Sequence, residues 1–488
     1  MGIKLGNGKW ATKEDELLAY RVIEGKYFNR SFDFARSSTT TRVNKDGYIE
    51  DVPSDTARID FADSVDGALL TEPASTNLIT YPISFGNNYW TKSGASIEGD
   101  SSTAGSELVT NGSFATDTDW TKGTGWSIGS GVATYTGTTD SNLGQSSVAT
   151  VGTFVLLEYE VTSSSIDGTL DLSSSSFKGA YYSLNKSVGT HQFYIEVSTY
   201  STLNIRVRSN TTGTISIDNV SVKEVQGFEA PKVDGSGGFE REAYKLVEDT
   251  SNGIHRIYSP NITVSVDTLY SSSVYAKKGE RSWFSIHISD STAGKDVWFD
   301  LDNGEVGTED SGINGKITPM ADGWYRCSVT WEDATKTTNR SYIYLADADN
   351  SDTYTGDGTS GLYIAYAQLE ESDYASSLML PTTEGSTTSR VGDVVNNAGN
   401  QSLFSNVNSS GTLYAEIAAN SDDLTGRYIS LSDGTTNNYA DIYYSSLSNY
   451  INMRVYSGGV QQASEKIPVR DISDFHKIAV RWAVDDFS

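Results

Sequence analysis

Apolar and polar residues alternate with a period of two along much of this chain. In one such run, Ile205 and Val207 lie between Asn204, Arg206 and Arg208. Alternation with one apolar side is typical of half-buried antiparallel strands. Asn-Gly and Asp-Gly pairs, which favour two-residue hairpin turns, separate runs of this kind. The pattern predicts an all-β protein made of short strands joined by tight turns.

One opening pattern occurs twice, and two closing patterns follow it. Residues 77–92 contain Asn-Leu-Ile, a phenylalanine and the run Tyr-Trp-Thr-Lys, and residues 111–122 contain Asn-Gly-Ser, a phenylalanine and Asp-Trp-Thr-Lys. Residues 215–225 and 362–370 then read as two last strands. The order open, open, close, close predicts one antiparallel β-sandwich (a jelly roll) nested inside a surface loop of another.

The patterns predict five parts. They are a short N-terminal segment (1–30), a small β region (31–76), a host β-sandwich (77–106 and 227–380), an inserted jelly roll (107–226) and the start of a third sandwich (391–488). Residues 11–22 are one of the few helix-like stretches. The strand pattern of residues 476–482 has almost nothing after it. We therefore expect the third sandwich to be incomplete and the natural chain to continue past Ser488.

The chain is strongly acidic, with 63 acidic against 36 basic residues and a formal net charge of −27. This charge opposes attraction to phosphate backbones and anionic lipid, so nucleic-acid binding is not expected. The first twenty residues contain no apolar run, which argues against a secretory signal and against membrane insertion. The single cysteine, Cys327, cannot form an internal disulfide and is expected to be a small buried thiol.

Several motifs resemble those of tailed-bacteriophage fibre and structural proteins. Residues 32–36 (FDFAR), 41–50 (TRVNKDGYIE) and 69–81 (LLTEPASTNLITY) resemble the recurrent head of these proteins. In them the head is followed by a Gly-Trp-Tyr-Arg strand, here 323–326, and an Ala-Gln-Leu-Glu closing strand, here 367–370. The resemblance implies a fibre or appendage protein, assembled in the host cytoplasm and exposed on the surface of the virion.

Two of the sandwiches resemble further families. Residues 413–480 are similar to a concanavalin-like sandwich, and the inserted jelly roll is similar to the carbohydrate-binding modules of xylanases and cellulases. Together these resemblances imply a string of β-sandwiches that contacts host-surface polysaccharide. Three tethered copies raise the apparent affinity of weak sugar sites by roughly 10² to 10⁴, so we also expect a homotrimer.

Large apolar residues are crowded in the N-terminal segment, which is too short to bury them internally. We expect this segment to dock to other virion proteins or to sister copies. The residues concerned are Trp10, Leu17, Leu18, Tyr20, Val22, Ile23, Tyr27 and Phe28.

The similarity of the inserted jelly roll to carbohydrate-binding modules also implies a structural calcium ion. Modules of this type commonly hold one between the N-terminal strand and an aspartate of the last strand, and Asp218 with Glu107 or Asn111 matches that pattern. Oxygen ligands from two chain ends would hold a sandwich without disulfides together. No other cofactor is expected.

Sugar binding would depend on aromatic side chains, because an exposed ring can stack on the apolar face of a pyranose. The candidates are Trp120, Trp126, Tyr135, Tyr181 and Tyr182. For Trp120 and Trp126 the alternative is packing in the core. Tyr181 and Tyr182 are adjacent, so on a strand they point to opposite sides and one of them should be exposed.

The sequence predicts no catalytic site. Its four histidines are far apart, and the acidic loop 347–358 lacks the glycine and the closing glutamate of a calcium loop. Carboxylate pairs for glycoside cleavage cannot be chosen among so many acidic residues. Two alternatives to a fibre protein remain, a fibre-borne polysaccharide depolymerase and a secreted bacterial adhesin. The first would need a β-helix repeat or an acidic cleft, and the second a signal peptide.

Overall fold

A computed structural model of the protein describes residues 3–5, 12–13, 16–23, 26–31, 33–99, 105–151, 153–208, 213–225, 228–233, 240, 242–289, 294–333, 336–396, 410–483 and 486–487. Up to residue 31 it describes the strands but not their side chains. Within these ranges the chain forms antiparallel β-sheets, and the one helical turn is the 3-10 turn Ala321–Gly323. None of the described segments is a helix capable of crossing a membrane. The predicted all-β class of antiparallel sandwiches, one nested inside another, is confirmed.

The host sandwich consists of two six-stranded sheets. The front sheet has the order β11 (Thr91–Ser93), β25 (Arg256–Tyr258), β34 (Ser341–Ala346), β28 (Trp283–Ile288), β29 (Lys295–Asp300) and β30 (Glu305–Glu309). The back sheet has the order β12 (Ala95–Glu98), β23 (Ala243–Glu248), β36 (Gly361–Glu370), β27 (Thr268–Lys278), β32 (Trp324–Asp333) and β31 (Ile313–Pro319). Two short ladders lie beside them, β24 (Asn252–Ile254) with β35 (Thr353–Thr355) and β26 (Ile262–Thr263) with β33 (Thr338–Asn339).

The inserted sandwich consists of two five-stranded sheets. Its front sheet has the order β13 (Thr121–Lys122), β16 (Ser141–Gln145), β21 (Leu203–Val207), β18 (Leu170–Leu172) and β19 (Tyr182–Leu184). Its back sheet has the order β14 (Trp126–Gly129), β15 (Val132–Thr136), β22 (Thr214–Val225), β17 (Phe154–Ser164) and β20 (Gly189–Glu196). The apolar cores of the two sandwiches are separate clusters.

The two sandwiches share one strand order. In each front sheet the first strand follows a tryptophan, and in each back sheet the closing strand, β36 or β22, lies at the third position. The repeated opening also has the same geometry. Trp90 Nε1 donates to the Tyr81 carbonyl at 2.9 Å and Trp120 Nε1 to the Asn111 carbonyl at 3.1 Å, nine residues back in both cases. The inserted chain leaves the host between β12 and β23, at the position of the tight turn between β14 and β15.

The third sandwich combines strands from both ends of the chain. One sheet has the order β45 (Asp486–Phe487), β44 (His476–Ala483), β39 (Ser410–Ala419), β1 (Ile3–Leu5), β9 (Ala68–Thr71) and β8 (Arg58–Asp60). The other contains β40 (Arg427–Ser432), β41 (Tyr439–Tyr444), β42 (Tyr450–Ser457) and β43 (Val460–Pro468). Strands of both sheets contribute to one apolar core. The third sandwich, expected to start at residue 391 and to be incomplete, therefore also contains β1, β8 and β9 from the beginning of the chain.

The N-terminal segment also differs from expectation. Residues 11–22 look helical in sequence, yet β2 (Thr12–Lys13), β3 (Glu16–Ile23) and β4 (Lys26–Ser31) form a three-stranded antiparallel sheet. Leu17, Leu18 and Ala19 are good helix formers, but differences in helix propensity are small in free energy, and pairing with the next strand overrides them. Three more two-stranded ladders complete the fold: β5 (Asp33–Ala35) with β38 (Val394–Asn396), β6 (Thr40–Val43) with β7 (Ile49–Val52), and β10 (Ser75–Asn77) with β37 (Thr388–Arg390).

A network of buried charges joins the small β region to the segment after the host sandwich. Arg36, Arg58 and Glu72 are all at most 3% exposed. Arg58 donates to Glu72 Oε2 at 2.8 Å and to Asp393, and Arg36 donates to Asp393 Oδ1 at 3.0 Å. Arg390 Nη2 lies 3.4 Å from Glu72 Oε2. Arg36 and Glu72 belong to the phage-like motifs, so those motifs have an internal structural role here.

Candidate ligand-binding face of the inserted sandwich

The front sheet of the inserted sandwich turns a polar row away from the core. Leu143, Leu172 and Ile205 lie in the apolar core, because alternate residues of a strand point to opposite sides. The residues between them, Asn142, Arg206 and Asp171, stand opposite one another across three neighbouring strands. Together with Asp140, Tyr181, Asn204 and Arg208, these residues form what we call the Tyr181 face.

Tyr181 is an exposed ring held from one side. It is 55% exposed, and the Arg206 guanidinium carbon lies 3.9 Å from its ring centroid. The Arg208 guanidinium carbon is 5.3 Å from the same centroid. Stacking of arginine on a tyrosine ring is a cation–π contact that fixes the plane of the ring. The ring therefore presents its remaining surface to solvent in a fixed orientation.

Asp171 holds both arginines beneath the ring. It is 1% exposed and accepts two hydrogen bonds from Arg206, Nε to Oδ1 at 2.9 Å and Nη2 to Oδ2 at 3.0 Å. Arg208 Nη2 lies 3.1 Å from Asp171 Oδ2, and Arg206 Nη1 donates to Asp140 Oδ2 at 3.2 Å. The hydrogen bonds to Asp171 are the main reason that the pKa of Arg206 is raised above its usual value. The bidentate Arg206–Asp171 pair is rigid. The positive charges of Arg206 and Arg208 are balanced by the carboxylates of Asp171 and Asp140.

Two asparagines supply amide groups beside the ring. Asn142 Oδ1 is buried and has no hydrogen-bond partner among the described residues, although a buried acceptor normally has one. Asn204 Nδ2 donates to the Ser175 carbonyl at 3.2 Å and to its hydroxyl at 3.0 Å. A side chain on Gly144 would overlap the Asn204 oxygen, so glycine keeps this part of the face open. A fixed ring beside amide and carboxylate groups can stack on a pyranose and hydrogen-bond its hydroxyls.

Three of the predicted sugar-binding residues are core residues. Trp120 and Trp126 are 7% and 6% exposed, and Tyr135 is 0% exposed. The Phe114 ring lies 5.2 Å from the Trp120 ring. Trp126 packs on Tyr135 at 5.6 Å, and the Tyr135 hydroxyl donates to the Thr139 carbonyl at 2.7 Å. The prediction that these three rings form a sugar platform is therefore wrong, because their faces are buried.

The adjacent tyrosines point to opposite sides, as expected. Tyr182 packs against the core and meets the Phe193 ring edge to face at 6.0 Å. Tyr181 is the exposed member of the pair. Of the five predicted rings, Tyr181 thus remains as the platform candidate. The sequence placed Asn204, Arg206 and Arg208 on the polar side of a strand but showed no sign that Asp171 and Tyr181 would meet them, because that contact joins separate strands.

The predicted calcium ligands lie along one edge of the inserted sandwich. Glu107 Oε1 accepts a hydrogen bond from the Val222 N–H at 2.8 Å, and its Oε2 accepts one from the Ser221 hydroxyl at 2.6 Å. Asn111 lies beside the same strand near Val220, since the Gly112 carbonyl accepts the Val220 N–H. A calcium ion bound by Asp218 with Glu107 or Asn111 stays a prediction.

No other metal cluster is found in the part of the chain that the structure describes, where no three His, Cys, Asp or Glu side chains are placed to hold an ion. In the acidic loop 347–358, whose sequence lacks a complete calcium motif, Asp347 accepts the Ser351 hydroxyl at 2.6 Å and Asp349 accepts the Thr308 hydroxyl at 2.9 Å. The Asp347 bond stabilises the loop itself, and the Asp349 bond joins the loop to β30.

The predicted docking residues cannot be placed as side chains. Trp10 lies outside the described residues. The others belong to β3 and β4, whose strands are described but whose side chains are not; they are Leu17, Leu18, Tyr20, Val22, Ile23, Tyr27 and Phe28. Their role in docking stays a prediction.

Comparison with known proteins gives little further guidance. No protein-family model matches the chain, and no curated protein sequence matches it. Among solved structures, the chain is similar to the N-terminal CBM22-1-CBM22-2 tandem domain from Paenibacillus barcinonensis Xyn10C, with 14% identity over 55% of this chain and 98% of that chain and a TM-score of 0.21. A similarity at this level carries no argument about function. The β-sandwich fold rests on the sheets described above.

Proposed function

We propose that the inserted sandwich binds glycans through the Tyr181 face. The observation that carries this proposal is the clamped ring: Tyr181 is 55% exposed, yet Arg206 and Asp171 fix its orientation from below. Holding an exposed aromatic ring in one orientation reduces the entropy lost when a ligand stacks on it. Nearby amide and carboxylate groups give the hydrogen bonds that distinguish one sugar from another.

We further propose that the chain is a fibre or appendage protein on the surface of a tailed phage particle, and that it binds host polysaccharide without cleaving it. The support is the sequence resemblance of residues 32–81 and of the strands 323–326 and 367–370 to phage structural proteins. A series of sandwiches, one of which has a binding face, fits a protein that displays a binding module on the surface of a particle. In this proposal the N-terminal sheet of β2, β3 and β4 is the part that attaches to other virion proteins.

The Tyr181→Ala variant tests the binding proposal. With the full chain on an array of bacterial polysaccharides, we expect the wild type to bind at least one glycan and the variant to bind it about tenfold or more weakly, because stacking on one ring is lost. Tyr414→Ala is the matched control, since Tyr414 is 50% exposed and belongs to the third sandwich. Equal binding by the wild type and Tyr181→Ala would contradict the proposal, and release of new reducing ends would show cleavage instead.

A further inference from the structure

The host sandwich has a second outward face at the equivalent position. In its front sheet Ile257, Ile286, Val297 and Ile343 lie in the core, so the residues between them point away from it. Outward residues of three strands, with Arg340 at the end of the sheet, form what we call the Arg256 face: Arg256, Tyr258, His287, Arg340, Tyr342 and Tyr344. By strand order, Arg256 occupies the place of Asn142 and Tyr342 the place of Asn204.

The Arg256 face is more aromatic than its counterpart. The rings of Tyr258 and Tyr342 lie 5.0 Å apart, and the His287 ring stacks on Tyr344 at 4.9 Å. The Arg256 guanidinium carbon lies 5.2 to 5.6 Å from the centroids of the three tyrosines. Tyr258, Tyr342 and His287 are each partly exposed. Ring edges and partly open ring faces therefore surround a guanidinium.

The charge balance of the two faces differs. On the Tyr181 face, Arg206 and Arg208 are both paired with Asp171. On the Arg256 face, neither Arg256 nor Arg340 has a carboxylate within 4.0 Å among the described residues. Arg256 Nη1 donates to the Tyr344 hydroxyl at 2.6 Å, and Arg340 Nε donates to Asn261 Oδ1 at 2.6 Å.

The carboxylate on the neighbouring strand, Asp296, has its own partners. It lies 2.9 Å from His287 Nδ1 and accepts the Ser285 hydroxyl at 3.0 Å. Two arginines without a carboxylate partner are notable in a chain of net charge −27, where acidic groups outnumber basic ones. They leave positive charge available to a ligand.

Two buried donors at this face also lack partners. Arg256 Nε and Trp298 Nε1 are buried and have no hydrogen bond within the described ranges, and Trp298 as a whole is 5% exposed. Buried N–H groups without an acceptor are rare because the loss of their hydration is costly. Arg256 and Trp298 belong to one row of outward residues on four neighbouring strands, in the order Arg256, Tyr344, Ser285 and Trp298. Both nitrogen atoms are enclosed and do not contact a ligand themselves, but they show that donors outnumber acceptors in this row of the sheet.

We propose that the Arg256 face is a second saccharide-binding site, selective for sugars that carry a carboxylate. The carboxylate would pair with Arg256 and Arg340, since a guanidinium forms strong charge-assisted hydrogen bonds to it. The sugar ring would lie against Tyr258 and Tyr342. This site is separate from the Tyr181 face, whose arginines are already neutralised, and neither site depends on the other.

The test measures binding of the full chain to tetramers of galacturonate, glucuronate and mannuronate and to their methyl esters, which keep the sugar ring but lose the charge. We expect at least one acid to bind about tenfold or more tightly than its ester. We expect this preference to shrink between about 0.05 M and about 0.5 M NaCl because salt screens the charge. Equal binding of acid and ester, or binding of none of the three acids, overturns the proposal.

Variants locate the site. Arg256→Gln and Arg340→Gln should each weaken binding of the acid about tenfold and leave the ester unaffected. Arg470→Gln is the matched control, because Arg470 is an exposed arginine of the third sandwich. Tyr181→Ala should leave binding of the acid unchanged, so failure of one site is distinguishable from failure of the other. If the Arg256→Gln variant does not fold, the Arg340→Gln variant alone tests whether the acid binds at this face. Unchanged binding by a folded Arg340→Gln then counts against the site.

Discussion

Among the described residues, arginine side chains lie both inside the fold and on outward faces of the sheets. Arg58 is fully enclosed and paired with Glu72 and Asp393, so it holds separate segments together. Arg206 and Arg256 instead lie under or beside tyrosine rings on outward faces. The sequence could not distinguish these roles, because the partners come from distant segments. It did predict the strand that carries Arg206 and the buried thiol of Cys327, both of which follow from local alternation.

At the scale of residues, we predict that the ionised side chain of Glu72 stabilises the fold at neutral pH and that this stabilisation is lost in acid. Burial raises the pKa of Glu72, but Arg390 and Arg58 outweigh it and leave the pKa below its usual value. A carboxyl group whose pKa is lowered by folding stabilises the folded state above its unfolded pKa of about 4.3, and this stabilisation is lost as the pH falls toward the folded pKa. The urea concentration at the midpoint of unfolding should therefore be lower at about pH 3 than at about pH 6.

The Glu72→Gln variant should unfold at a lower urea concentration at neutral pH, with a loss of about 3–5 kcal/mol in the free energy of unfolding, because buried Arg390 loses its carboxylate partner and buried Arg58 keeps only Asp393. Its midpoint should also change less with pH than that of the wild type. Glu305→Gln, which alters an exposed glutamate, is the control. A pH profile of Glu72→Gln that follows the wild type would contradict the role given to this carboxylate.

At the scale of elements, the sequence predicted several of the longer strands, including both closing strands, but few of the pairings. Period-two alternation marks a strand wherever one side is buried, as in β21 and β22. Pairing has no local mark when the partners are far apart in the sequence. Ile3–Leu5 lies between β39 and β9, and nothing in these three residues indicates a partner more than 400 residues away in the chain. Burial of Trp120 and Trp126 was similarly undecided, since tryptophan suits both cores and binding faces.

The central position of β1 leads to a prediction about truncation. Deletion of residues 1–5 should separate β39 from β9 and lower the thermal unfolding temperature of the third sandwich, because both neighbours lose their backbone partner. Replacement of residues 12–31 by a short Gly-Ser linker should leave the sandwiches folded, since β2, β3 and β4 pair with one another.

Calorimetry and limited proteolysis of the two variants measure this difference. If deletion of residues 1–5 has no effect on residues 410–483, then β1 is not needed there. The linker variant should also fail to join virus particles if the docking proposal holds. Normal incorporation of a folded linker variant would contradict docking through this sheet.

At the scale of the whole molecule, we predict a homotrimer. Shallow sugar sites bind weakly, and three tethered copies raise apparent affinity by roughly 10² to 10⁴ without new contacts. Closed cyclic symmetry also covers exposed sheet edges without open-ended growth. The charge of −27 per copy opposes this assembly, so contacts should concentrate in residues 1–76, where the sequence has the basic residues Arg30, Arg36, Arg42, Lys45 and Arg58. Arg36 and Arg58 are buried, so they cannot contribute to such a contact surface.

Light scattering on the full chain measures the assembly directly. The expected mass is about three times the 52.8 kDa of one chain. The assembly should weaken at low salt, where repulsion between acidic copies is least screened. A monomer at micromolar concentration under all salt conditions would exclude the trimer.

The junction between the two nested sandwiches has a consequence for how such proteins diversify. The Gly105 N–H donates to the Glu224 carbonyl at 2.8 Å where the inserted sandwich begins and ends, so its two connection points lie about one strand spacing, ~5 Å, apart. Any small domain whose two ends lie that close together could be inserted at the same place without disturbing the core of the host sandwich. Recombination at this junction would exchange one inserted domain for another in a single step, and the recipient would keep its host sandwich while acquiring the ligand specificity of the new domain.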